Sequence, residues 1–173
     1  NTYGQSDTVT YIVSIVNSGT TPITGISVTD NLGEYTFGTT TLVPLDYMEG
    51  TAKYYINGVL QPAPAATAGP PLVVSGITVP AGGSVTVAYE AAVNEFAPLD
   101  TTSVINNTAI VAGTGITPIT AEEEITVEST PVHTITKSVS PVPVTENGTL
   151  TYTFLIQNSG NVAADASTGV VVT

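Results

Sequence analysis

Apolar and polar residues alternate along Asp7–Gly19, DTVTYIVSIVNSG, with Val9, Tyr11, Val13 and Ile15 sharing one parity. A period of two puts those side chains on one face of a β-strand, over a buried core. The rhythm returns in Gly148–Gly160, GTLTYTFLIQNSG, through Leu150, Tyr152, Phe154 and Ile156. Tyr11 matches Tyr152, Asn17 matches Asn158, and Ser18-Gly19 matches Ser159-Gly160, all at one offset and without a gap. Asn-Ser-Gly ends both runs with residues that tolerate turn geometry. A second matching strand follows, Gly25–Asp30 against Gly169–Thr173, after a longer loop in the second copy, where insertions are tolerated. The chain reads as a repeated, strand-built module.

The rest of the pattern is also extended. Asn1–Ser6 reads as a frayed polar lead-in, Thr8–Val16 and Ile23–Thr29 as strands, and Thr41–Leu45 as a further strand ended by Pro44 and Asp46. Lys53–Gln61, KYYINGVLQ, predicts an edge hairpin, because Asn57-Gly58 between apolar runs suits a two-residue turn with positive φ at both positions. Gln61–Pro71, QPAPAATAGPP, predicts an extended, solvated loop. Leu72–Val79, Ser84–Val93, Val104–Ala112 and Ile119–Val127 predict four more strands, and Glu122-Glu123-Glu124 marks the last as an edge protected by charge. Many short strands without a helix predict an all-β, immunoglobulin-like antiparallel β-sandwich. A closed barrel is the alternative, disfavoured by Pro-rich breaks of uneven length.

The expected organisation is a first sandwich over 1–127, a linker at 128–131, and the opening strands of a second, incomplete repeat over 132–173. A piece of about 40 residues buries too little to fold unaided. Its strands are expected to dock on their own first module, to exchange with another copy, or to stay disordered.

Composition narrows the role. Of 173 residues, 42% are hydrophobic, enough for a core, and only 9% are charged. The net charge of −12 reflects scarce bases, Lys53 and Lys137 alone. No basic stripe exists to neutralise phosphates or an anionic membrane, so nucleic-acid and membrane-surface binding are not expected. No segment has the length and apolarity of a membrane span. The absence of Cys excludes disulfides, Cys-ligated zinc and thiol catalysis.

Asp7–Asn17, Gly25–Asp30, Tyr54–Pro62, Val87–Asn94 and Ile105–Val111 together resemble the bacterial conserved-repeat domain, domain of unknown function number eleven. The resemblance covers nearly all of residues 1–127 and a second copy opening at about Val132. It implies tandem modules in secreted or wall-attached proteins, often of Gram-positive bacteria, with a structural or adhesive role, no enzymatic activity and no cofactor. Some Gram-positive immunoglobulin-like modules join Lys to Asn by an isopeptide bond, promoted by a buried acid. That chemistry needs an amine made neutral by burial and an acid kept protonated. In the second module Lys137 stands where such a Lys belongs; in the first, Asn106 or Asn107 is placed like the acceptor and Asp30 or Glu90 like the acid. A partner for Lys137 would fall after Thr173, and a Lys for the first module before Asn1. The plainer reading is an exposed Lys on an edge strand and an Asn that bonds its neighbours.

Other chemistry is weaker. His133, the single His, lies in a linker-like stretch and lacks a nucleophile and an orienting group. Glu90 and Glu95 as a glycosidase pair are better read as surface charges. Asp30, Asn31 and Glu34 offer calcium oxygen ligands, but a turn Asp capping local N–H groups explains them more simply. In the hairpin one of Tyr54 and Tyr55 faces the core, and the other, with Asn57 and Gln61, is a candidate interaction surface. The expected role is a non-catalytic stalk module on the bacterial cell surface or wall, beside neighbouring repeats. The alternative is an adhesive module taking glycan or a host protein through residues 54–71, and a third reading is an accessory domain of a secreted enzyme.

Overall fold

The structure, a computed structural model, describes residues 1–128, 133–140, 149 and 151–163. These residues are all-β and form no helix. They belong to two compact units, Asn1–Val127 and Glu128–Thr173.

The first unit is an immunoglobulin-like sandwich. One sheet runs in the order β1 (Thr2–Tyr3), β13 (Ile119–Val127), β12 (Val104–Ala112), β3 (Ile23–Asp30), β10 (Leu72–Val79), β9 (Ala65–Thr67). The other runs β2 (Thr8–Val16), β11 (Ser84–Val93), β7 (Lys53–Ile56), β8 (Val59–Leu60), with β6 (Leu45–Tyr47) also on β11. A small hairpin, β4 (Tyr35–Phe37) and β5 (Thr40–Leu42), stands apart. Alternation along β11 is complete: Val85, Val87, Tyr89, Ala91 and Val93 are buried, and their neighbours half-buried. On the facing sheet Ile26, Val28, Leu72, Val74, Ile77, Ile105 and Ile125 close the core. Inward-facing residues of two sheets interdigitating in this way are what hold a sandwich together.

Three segments differ from the sequence pattern. Asn1–Ser6 is not a frayed lead-in, because β1 pairs in parallel with β13 at Thr2↔Thr126 and Tyr3↔Val127. Tyr3 is fully buried and its hydroxyl donates to the Pro98 carbonyl at 2.5 Å, which anchors the segment. Within Gln61–Pro71, Ala65–Thr67 forms the edge strand β9 on β10, an edge position being where a Pro-flanked strand is tolerated. The strand expected over 41–45 is two, β5 and β6, split at Val43-Pro44; both carbonyls accept from Asn94, through its side-chain amide and its backbone N–H respectively. The Asn57-Gly58 turn forms as the sequence predicts, with φ of 47° and 80°, joining β7 to the edge strand β8.

The second unit contributes β14 (His133–Ser140) and β15 (Thr151–Asn158), an antiparallel pair with Val139 opposite Tyr152 and Lys137 opposite Phe154. The sequence repeat extends to atomic detail at the strand ends. Asn17 donates to the Thr21 carbonyl at 2.8 Å and accepts from Gly19 N–H at 3.0 Å. Asn158 donates to the Val162 carbonyl at 2.5 Å and accepts from Gly160 N–H at 2.9 Å. One side chain thus stitches the same turn in both copies. The second repeated strand, 169–173, and the linker residues 129–131 lie outside the described residues.

Candidate functional site

Asp30 is the last residue of β3 and is 1% exposed. Its Oδ1 accepts from Leu32 N–H at 2.7 Å, the turn-capping role its place in the sequence suggests. Its Oδ2 reaches into the core and accepts from two strands. The Asn107 side-chain amide donates to it at 2.7 Å from β12, and the Tyr89 hydroxyl donates to it in a short bond from β11. The β12–β3 register, Ala109↔Asp30, carries Asn107 just past the end of β3 on the same inward face. Its Oδ1 accepts from Gly33 N–H at 2.9 Å. Gly33 has φ of 72°, and a Cβ there would meet Ile105 Cγ2 at 2.5 Å, so glycine is what lets this amide come so close.

Tyr11 of β2 stacks on Tyr89, with ring centroids 5.8 Å apart and an interplanar angle of 28°. Tyr11 is buried, and its hydroxyl has no hydrogen-bond partner among the described residues. A cavity of about 110 Å3 adjoins Tyr11, Val13, Asp30, Tyr89, Asn107 and Glu123.

Burial pushes the Asp30 carboxyl above the usual carboxylate range, outweighing the hydrogen bonds from Tyr89, Leu32 and Asn107, which pull it down. Burial also raises the Tyr89 and Tyr11 phenols, and the charge of Asp30 adds to both. The result is a cluster in which a carboxyl resists ionisation, the phenols stay protonated, and an Asn amide is held at both ends.

Of the isopeptide candidates in the first unit, the fold brings Asp30 and Asn107 together and leaves Asn106 and Glu90 apart. Asn106 is exposed on the opposite face of β12. Glu90 stands on the outward parity of β11, opposite Thr10, so it cannot meet an Asn of the other sheet's inner face. The Lys137 and His133 side chains lie outside the described residues. Asn31 Oδ1 is taken by the N–H groups of Gly33 and Thr108, and no group of three metal-ligating side chains occurs among the described residues. In the hairpin Tyr54 is buried and bonded through its hydroxyl to Thr78, so it offers no exposed surface. Tyr55 is half-buried, Asn57 accepts from Ser84 N–H, and Gln61 folds back on the Val59 carbonyl. Sequence reasoning missed Tyr89 and Tyr11 as members of the cluster. Their signal was a polar tip on a core-facing position, which must find a partner or do without one.

No protein-family profile and no curated protein matches the chain. Among solved structures, a variant of BcpA, the major pilin subunit of Bacillus cereus, is similar over 90% of this chain and 48% of its own, with TM-score 0.54 and 13% identity. The pilus backbone RrgB of Streptococcus pneumoniae is similar over 64% of this chain and 25% of its own, with TM-score 0.47 and 16% identity. A collagen-binding domain from a Staphylococcus aureus adhesin covers 69% of this chain and 87% of its own, with TM-score 0.42 and 12% identity. The chain therefore spans a quarter to a half of the two pilin proteins it resembles. At such identities the likeness is one of fold: the chain is an immunoglobulin-like β-sandwich similar to a Gram-positive pilin subunit.

Proposed function

We propose that this chain is a non-catalytic structural module of a secreted or wall-anchored bacterial surface protein, one of a series of conserved repeats that hold other parts away from the cell. The observation that carries this reading is the repetition itself. The strand ending in Asn-Ser-Gly and its stitched turn occur once in each unit. Tandem copies of one sandwich suit a stalk, because length grows with copy number. The whole chain, probed against glycan arrays and immobilised matrix proteins, is expected to bind nothing specifically.

An adhesive role is the second reading, favoured by Val59 and Leu60, which are 64% and 59% exposed side by side on the edge strand β8. Specific binding to a glycan or matrix protein that is lost in Val59→Ser/Leu60→Ser would replace the stalk reading with this one.

Within the same proposal, Asp30 and Asn107 are the acid and the acceptor of a Lys–Asn isopeptide bond. Asn107 Oδ1 lies against Gly33 N–H, where negative charge would develop on attack. Asn107 Nδ2 lies against Asp30, which can protonate the departing nitrogen. The lysine nitrogen would bond to the amide carbon, the bond to Nδ2 would break, and ammonia would leave with the proton relayed by Asp30. Peptide mapping of the protein taken from the cell surface is expected to find Asn107 joined to a lysine with loss of one ammonia. Unmodified Asn107 throughout would sink the cross-link while leaving the module reading intact.

A further inference from the structure

Where the chain passes from β8 in one sheet to β9 in the other, the flank of the first unit is cleft. β9 pairs with β10 alone and β6 with β11 alone, so each keeps an unpaired edge among the described residues. Ala66 of β9 stands opposite buried Val74 and shares its inward parity, yet Ala66 is exposed. The two sheets are therefore not closed over it. A cavity of about 340 Å3 opens there, lined by Tyr47, Glu49, Ala63, Pro64, Ala66 and Ala68 among others. Tyr47 lies opposite buried Ala91, so its half-buried ring is turned toward the interior, while Glu49 is exposed.

The lining says which side chain fits. Three alanines and a proline leave room for a long side chain and offer it no polar side-chain group. The polar side chains of the lining are Tyr47 and Glu49. A long apolar stem ending in a cation suits such a slot: the stem lies on the alanines and the tyrosine ring, and the head reaches the carboxylate. Lys and Arg have that form, and the net charge of −12 draws cations in. The unpaired edges say how the side chain is delivered. An extended segment laid on a strand edge gains main-chain hydrogen bonds and sends alternate side chains to one face. Charge commonly guards an edge against such pairing. β13 carries Glu122, Glu123 and Glu124, whereas residues 50–89, β9 included, hold no Asp or Glu. Pro64 and Pro70 lack an N–H and bound this edge, so it takes a short segment. With two Lys and no Arg in 173 residues, a second copy of the chain is a poor source of that side chain.

We propose that this cleft accepts an extended, basic segment of a partner protein, added as a strand to the outer edge of β9, with one Lys or Arg side chain in the cleft and its charge on Glu49. The inference goes beyond the stalk reading and does not depend on it. It also differs from the adhesive reading, whose Val59 and Leu60 lie on β8 and do not line this cavity.

The probe is a fluorescently labelled peptide of alternating threonine and valine with one central arginine, titrated with the whole chain and followed by anisotropy. Saturable binding is expected, and a central glutamate in place of the arginine should weaken it about tenfold or more. Glu49→Lys should weaken the arginine peptide by a similar factor. Ala66→Phe, which fills the cleft from an exposed position, should abolish binding while leaving the unfolding midpoint close to that of the natural chain. A peptide N-methylated at alternate residues cannot complete a ladder and should bind at least tenfold more weakly. No saturable binding up to millimolar chain overturns the proposal, and so does binding indifferent to both Glu49→Lys and Ala66→Phe. An N-methylated peptide that binds as well as its parent overturns strand addition. Val59→Ser/Leu60→Ser should change nothing; a loss there moves the site to β8 and overturns the assignment to the cleft. These readouts report a short peptide alone, so their failure is distinguishable from a failure of the stalk reading, which is judged by glycan and matrix binding.

Discussion

Asp30 gathers three donors at a position only 1% exposed, and its neighbours depend on it as much as it depends on them. Asp30→Ala would leave the Tyr89 hydroxyl, the Asn107 amide and Leu32 N–H without their acceptor. The expected loss is about 3 kcal/mol or more in urea denaturation. Tyr11→Phe is expected to go the other way, neutral to about 1 kcal/mol stabilising, since it removes a buried hydroxyl that has no hydrogen-bond partner among the described residues. The pH dependence has a definite sign. Because the folded carboxyl is raised, its stabilising contribution is complete below the unfolded pKa of about 4 and is lost as pH rises through the folded value. Asp30→Asn cannot titrate, so the stability of the natural chain relative to this variant should fall as pH climbs from about 4 across that window. A rising difference would mean that the hydrogen bonds outweigh burial. The sequence made Asp30 and Asn107 legible as acid and acceptor candidates, but it could not separate Asn107 from Asn106 or Asp30 from Glu90. That choice depends on strand parity and on which sheet each residue joins, and a single chain of letters gives the first only by inference and the second not at all.

Elements were most legible where period and turn chemistry agreed. β2, β11 and the Asn57-Gly58 hairpin combine clean alternation with an unambiguous turn. Gly58→Ala is expected to cost about 1 kcal/mol, because φ is 80° there, whereas the space around it is open. Gly33→Ala should cost more, about 2 kcal/mol or above, since it adds a clash with Ile105 to the strain of φ 72°. Both are read by thermal or urea unfolding. β10 shows why a strand need not keep one parity. Leu72 and Val74 face inward, then Gly76 at φ 80° accompanies a register shift, after which Ile77 and Val79 face inward. β1 and β9 escaped the sequence because each is only two or three residues long and is fixed by a distant partner: β13 for one, β10 for the other.

For the whole molecule, charge is the term that sequence alone predicts well. Fourteen acids against two bases leave a net charge of −12, which repels within the folded unit and between copies. Raising ionic strength from near zero to about 0.15 M should therefore raise Tm by a few degrees. A fall in Tm would mean that attractive pairs dominate. The repeat is also legible in the sequence, because a strand and its turn recur without a gap.

The donors around Asp30 come from β11 in one sheet and from β12 and the turn after β3 in the other. In an unfolded or half-assembled chain these groups are far apart, so Asn107 is then an ordinary amide in water. Any bond made there is consequently timed: it cannot form before both layers have met, and it would record that they had. A chain that misfolds would carry no such mark, so the proposed cross-link would be a certificate of correct assembly as well as a fastening.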